Sequence, residues 1–159
     1  MSIKANFNFN DILKNHQTFL DNVSVSLLEA MDQTANTIAD LAKNTNTYTD
    51  RTNNLRSSIG FVLYKDGQKV GASFAKTGKG DEGNGAAGAS RGESVAESVA
   101  AKYASGYVVV LVAGMDYAAY VEAKGFDVIT GATMQFEDEL ARNLQSISRV
   151  TGINFSKAE

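Results

Sequence analysis

The chain has 159 residues, 43% of them apolar and 21% charged, which is material for one globular domain and not for a disordered segment. Its 18 acidic and 15 basic side chains leave a formal charge of −3, so there is no general attraction to nucleic acid. Cysteine is absent and His16 is the only histidine, which excludes disulfides, thiol nucleophiles and thiolate or histidine-cluster metal sites, and leaves a catalytic triad one base at most.

The first periodic segment covers residues 10–44. Ile12, Leu13, Phe19, Leu20, Val23, Leu27, Ala30, Met31, Ala35, Ile38 and Leu41 recur at spacings of three and four, which predicts an amphipathic helix capped by Asn10 or Asp11. At ~1.5 Å per residue it would be about 50 Å long, more than a compact domain needs. It therefore either breaks near Asp21-Asn22 or reaches beyond its own core toward a neighbour. A polar linker follows over residues 44–54, with a short helical turn expected at Asn53 to Ser57.

Ser58 to Tyr64 and Gln68 to Phe74 flank Lys65-Asp66-Gly67, a strong hairpin signal. Ile59, Phe61 and Leu63 share one face and Val62 and Tyr64 the other, so both faces should be covered, one by the helix and one by another layer or subunit. The glycine-rich stretch 75–92 has little to bury, and it is expected to be a mobile loop that orders on assembly. Overlapping capping boxes at Ser90 to Glu93 and Ser94 to Glu97 precede a short helix to about Tyr103. Tyr107 to Ala113 is continuously apolar and β-branched, hence expected to be the central strand. Phe126 to Ile129 is expected as a short edge strand. A final helix from a Thr130 cap to Ser148 and a polar tail at 150–159 complete the chain. The expected class is α+β in a single domain, residues 1–159. It comprises a long N-terminal helix, a small antiparallel or mixed sheet with a hairpin, a short middle helix and a C-terminal helix packed on the sheet.

No run of 18 apolar residues is present, so no membrane span is expected, and the residues from Met1 to Asn10 lack the apolar core of a signal peptide. Gly78-Lys79-Gly80-Asp81-Glu82-Gly83 spells G-x-G-x-x-G, but no helix follows at once and its two carboxylates would repel phosphate. Asp116, Glu122 and Asp127 are close in sequence, yet nothing aims three oxygens at one centre; turn capping accounts for them more simply. No cofactor and no enzymatic activity are expected. Lys65, Lys69, Lys76, Lys79 and Arg91 surround the hairpin and loop. In a ring, repetition would gather them, and Lys76, Lys79 and Arg91 are the candidates to face DNA.

Two segments stand out as a pair: Thr52-Asn53-Asn54-Leu55-Arg56-Ser57-Ser58-Ile59, and Ala113-Gly114-Met115-Asp116-Tyr117-Ala118-Ala119-Tyr120-Val121-Glu122. Together they resemble the tail-completion, or neck, proteins of tailed bacteriophages. That family shows Thr-Gly-x-Leu-Arg-x-Ser-Ile after its first helix and a strand leading to Tyr-Ala-x-Tyr-Val-Glu before its last. Thr52, Leu55, Arg56, Ser58, Ile59, Tyr117, Ala118, Tyr120, Val121 and Glu122 match. Asn53 stands at the family's glycine, Arg51 at a common aspartate, and the glycine after the glutamate is displaced to Gly125.

The resemblance implies a virion protein at the head–tail junction or the head-proximal end of the tail, made in the host cytoplasm. It implies a homo-oligomeric ring, six- or twelve-fold, joining a connector or adaptor above to tail-tube proteins below, with genomic DNA passing through the lumen and no membrane partner. A tail-tube or other virion subunit, and a small soluble regulatory binding protein, are the alternatives. Arg56 is expected to pair with Glu122 and pin the linker to the turn after the strand. Tyr117 and Tyr120 offer rigid contact area for neighbouring subunits, or else finish the chain's own core.

Overall fold

The computed structural model describes residues 8–44 and 47–156. The first seven of the residues read for a leader, residues 45 and 46 of the polar linker and the last three residues of the tail lie outside the described residues.

Helix α1 runs unbroken from Phe9 to Asn44. Asn8 starts it, two residues before the expected cap. Its side-chain Oδ1 accepts the Asn10 N–H at 3.0 Å, and its carbonyl accepts those of Asp11 and Ile12. No break occurs at Asp21-Asn22, because neither residue interrupts the hydrogen-bond ladder and no proline is present. The short helix α2 (Asn54–Ser57) leads into β1 (Ile59–Lys65), which turns into β2 (Gln68–Ser73). Asp66 and Gly67 both have positive φ, 51° and 75°, as a two-residue type I′ turn requires. The pairing shifts between Leu63 and Tyr64, leaving Val70 as a bulge on the exposed strand β2. Helix α3 (Ala86–Ala100) is followed by β3 (Tyr107–Ala113), and α4 (Ala118–Ala123), α5 (Thr130–Thr133) and α6 (Phe136–Thr151) close the chain.

The fold is α+β, with an antiparallel three-stranded sheet in the order β2-β1-β3. The central strand is β1, not β3. Its alternation is apolar on both faces, and both faces are covered within one chain. Ile59, Phe61 and Leu63 pack with Met31, Ala35, Ile38, Ala39 and Ala42 of α1, while Val62 packs with Ala96 and Ala100 of α3. The layer anticipated as a neighbouring subunit is therefore α3. β3 takes an edge, half-buried along most of its length. Helix α6 lies along α1, with the Asn143 amide donating to Thr34 Oγ1 at 2.9 Å.

Helix α3 begins at Ala86, well before the predicted capping boxes, so the glycine-rich segment is a loop only as far as Gly85. Small residues at Ala86, Gly88, Ala89 and Gly92 let the helix lie directly on α2 and β1. A Cβ at Gly92 would collide with the Ser58 carbonyl and the Phe74 ring. Glu93 and Glu97, expected to close the capping boxes, instead receive Lys69 of β2 at 2.5 and 2.7 Å.

The expected edge strand at Phe126 to Ile129 does not form. Its end is turned into a helix start by side chains: Glu122 Oε1 accepts the N–H groups of Ile129 and, just beyond it, Thr130 at 3.1 and 2.8 Å, and Asp127 Oδ1 accepts that of Gly131. Val128 is driven into the core beside Ile59 and Leu55. Thr130 consequently starts α5 without capping it by its own side chain, and the predicted C-terminal helix is divided at Met134-Gln135. Gly152, at φ 73°, ends α6 and moves the start of the tail past residue 150.

Candidate assembly interface

The segment from Tyr48 to Ile59 holds the first of the two paired motifs, and each of its side chains has a separate task. Leu55 and Ile59 point into the core against Ile38, Ala42, Ala118 and Val128. Arg56 is also buried, but it does not meet Glu122. Its Nε donates to Asp50 Oδ2 at 2.6 Å, and its guanidinium lies 5.2 Å from the centroid of the Tyr48 ring. The expected Arg56–Glu122 clamp is thus corrected on both sides, since Glu122 is committed to the N-terminus of α5. Burial is the largest influence on the Glu122 carboxyl and raises its pKa. Hydrogen bonds from Thr130, Ile129 and Val128 together outweigh it, so the group sits below its ordinary value.

Ser58 is what ties the two motifs together. Its hydroxyl donates to the Leu55 carbonyl at 2.7 Å and accepts the Met115 N–H at 3.3 Å, while its carbonyl accepts the Gly114 N–H at 3.1 Å. Thr52, half-buried, and Asn53 lie where the segment meets the glycine-rich loop. Asn53 has φ 64°, a left-handed conformation that glycine adopts most readily. Its amide does what glycine cannot: Oδ1 accepts the Gly80 N–H at 2.7 Å, and Nδ2 donates to the carbonyls of Gly80 and Gly83 at 2.8 and 2.6 Å. Ser57 Oγ exchanges two hydrogen bonds with Thr77, and Asn54 Oδ1 accepts the Gly88 N–H.

The loop is thus laid against residues 51–58, and its glycines are required for that approach. A Cβ at Gly80 would strike the Arg51 carbonyl, and one at Gly85 the Ser57 hydroxyl. This is burial that composition did not reveal: the stretch expected to be a mobile loop that orders on assembly already meets residues 51–58 within one chain. It also disposes of the G-x-G-x-x-G match, because Asn53 consumes the Gly80 N–H that a phosphate would need.

Above this framework lies an open cleft of about 270 Å³ whose walls include Tyr48, Asp50, Arg51, Asn53, Glu82 and Tyr117. Burial, tempered by the Arg56 charge and reinforced by that of Asp50, pushes the Tyr48 hydroxyl up to about 12, so it remains protonated at neutral pH. That hydroxyl is buried and has no hydrogen-bond partner among the described residues. Tyr117 and Tyr120 do not finish the core: they are 42% and 65% exposed, and Lys124 Nζ sits 5.2 Å from the Tyr120 ring centroid. Val121, between them and Glu122, is half-buried against the core.

The basic residues do not converge within one chain. Lys65 donates to Ser24 Oγ, Lys69 is held by two glutamates, and Arg91 pairs with Asp116 at 2.8 Å on the surface. Lys76 and Lys79 are exposed on the loop. The three acidic residues considered for a cation are each engaged elsewhere: Asp116 with Arg91, Glu122 with the start of α5, and Asp127 with Gly131. Among the described residues no group of three His, Cys, Asp or Glu is placed to hold a metal ion. No described helix is long and apolar enough to cross a membrane.

Three members of the site escaped the sequence reading. Tyr48 and Asp50 sit in a linker whose composition reads as uniformly polar, and Ser57 is adjacent to the serine that the motif singles out. A tyrosine and an aspartate just upstream of a buried arginine are a usable signal only once the arginine is known to be buried. Compared with protein-family models, with curated proteins and with solved structures, the chain matches none.

Proposed function

We propose that this chain is a non-enzymatic structural subunit of a tailed-phage particle. It assembles as a ring at the head–tail junction or the head-proximal end of the tail, between a connector and the tail tube, and leaves a lumen for DNA. The observation that carries the reading is the meeting of the two motifs whose order and spacing resemble the neck proteins. They lie far apart in sequence, yet Ser58 of the first is hydrogen-bonded to Gly114 and Met115 at the head of the second. This joint presents Tyr117 and Tyr120 outward, in the way that rigid aromatic anchors serve contacts between subunits.

The ring works by symmetric, repeated contact and not by a bond-making step. Six or twelve copies of Lys76 and Lys79 would supply the cationic surface that a single chain lacks, with Arg91 contributing less because Asp116 offsets its charge. The test is subunit-resolved imaging of purified particles together with solution mass in the presence and absence of connector and tube proteins. A ring at the neck is the expected result. Stacked rings along the tail would assign the chain to the tube, and absence from the particle would leave a soluble binding protein and refute the proposal.

A further inference from the structure

Both neighbours of α1 end well before the helix does. The sheet reaches it at Ser24, whose hydroxyl meets Lys65 and Tyr107, and α6 ends at Thr151 beside Ser26 and Glu29. The described tail beyond Gly152 runs elsewhere, since Asn154, Phe155 and Ser156 line a groove with Leu140 and Leu144 of α6. Residues 9–23 therefore project about 22 Å past the body at ~1.5 Å per residue. An isolated helix of that length is marginal in water.

The projecting segment carries Phe9, Ile12, Leu13, His16, Phe19, Leu20 and Val23 on one face, in line with the face buried further along. Phe9 is 65% exposed and Leu13 52%. At 100° per residue the face spans roughly 120° of the circumference, wider than the narrow seam of a two-stranded coiled coil. Its exposed apolar area is on the order of 500 Å², most of what one side of a stable protein interface uses. The flanks are nearly neutral, with Asp11, Lys14 and Asp21 among asparagines and glutamines, so copies laid side by side do not repel. The apolar groove on α6 is a poorer receptor, because Glu137 and Asp138 on its rim would face a segment with two aspartates and one lysine.

We propose that residues 9–23 pack against the same segment of neighbouring copies, as parallel helices each touching two neighbours. The self-packing rests on the exposed face alone, whereas the parallel, cyclic sense rests on the ring reading. Leu13→Glu with Leu20→Glu tests the first part, since both side chains lie outside the core: the body should keep a cooperative urea transition, while helicity over residues 9–23 falls as the packing is lost. Wild type is expected at a multiple of 17.0 kDa and the variant at the single-chain mass. A wild type that stays a single chain, or a variant that keeps the wild-type mass, would overturn the proposal.

The second part uses the absence of cysteine. Phe9→Cys, treated with a bis-maleimide that spans the ~8–10 Å between packed helix axes, should yield cross-linked pairs of chains, because each chain offers one thiol and parallel packing sets neighbouring thiols side by side, whereas antiparallel packing would hold them about 21 Å apart. Thr18→Cys, on the opposite side of the helix, should not. An intact oligomer without the Phe9→Cys pair refutes parallel packing. Neither result depends on finding the protein in a phage neck, so failure here and failure of the functional reading are separable.

Discussion

Replacing Arg56 by leucine removes the guanidinium from a carboxylate that remains inside the protein. The side chains of Arg56 and Asp50 are only 8% and 5% exposed, so water screens little of their interaction, and Asp50 is left without its partner. Breaking one side of such a pair costs about 3–5 kcal/mol. Loss of the stacking on Tyr48 adds on the order of 0.5–1 kcal/mol. Against a typical total stability of about 5–15 kcal/mol this is a large fraction, and at about 2–4 °C per kcal/mol in a domain of this size it lowers Tm by roughly 7–24 °C. Urea unfolding of Arg56→Leu, Asp50→Asn and the double variant, with the m-value unchanged, measures it. The coupling should be favourable by at least about 1.5 kcal/mol, because the double variant removes both charges together. The parallel cycle with Glu122→Gln should give coupling near zero, since Glu122 serves Ile129 and Thr130. An Arg56→Leu cost below about 1 kcal/mol, or a larger coupling to Glu122 than to Asp50, would refute the assignment.

Asn53→Gly should lose about 1–3 kcal/mol through its three loop hydrogen bonds, and Asn53→Ala about 1–2 kcal/mol more because alanine resists positive φ; proteolysis between Thr77 and Gly85 should accelerate in both. The Glu122 pKa is lower folded than unfolded, so its stabilisation is present above the unfolded pKa and fades as pH falls through the folded one. Denaturation midpoints of wild type should drop in acid below about pH 4, and Glu122→Gln should flatten that part of the profile. Tyr120→Ser should leave the single chain's stability within about 0.5 kcal/mol while weakening assembly with connector protein, read as solution mass. Gly92→Val should destabilise by about 1–3 kcal/mol, measured by urea midpoint, as its side chain forces α3 off Ser58 and Phe74.

Local chemistry alone determined much of the architecture. The 3.6-residue period wrote α1, and the two faces of Ile59 to Leu63 announced a strand covered on both sides. Asp66-Gly67 specified its turn, because positive φ at two successive positions is accessible to few residue pairs. These signals are short-range, so they survive without knowledge of the fold. What the chain could not disclose locally is which partner each polar group finds. Arg56 had carboxylates at Asp50 and Glu122 to choose between, and only the path of the linker over Tyr48 settled it. Phe126 to Ile129 had strand composition, yet Glu122 takes the Ile129 N–H and, with Asp127, those of Thr130 and Gly131 just beyond, so the segment leads into α5 and pairs with no strand.

The glycine-rich segment shows the same limit. Its composition says that little can be buried by its own side chains, and that is correct. It cannot say that the absence of Cβ atoms lets the backbone itself be buried against residues 51–58, with Asn53 as the grip. The reach of the α1 periodicity was likewise legible, although a break at Asp21-Asn22 stayed open. That its apolar face continues some 22 Å beyond its own body is a property of where β1, β3 and α6 end. Burial and hydrogen-bond partnership are relations between distant segments, and only the tertiary structure fixes them.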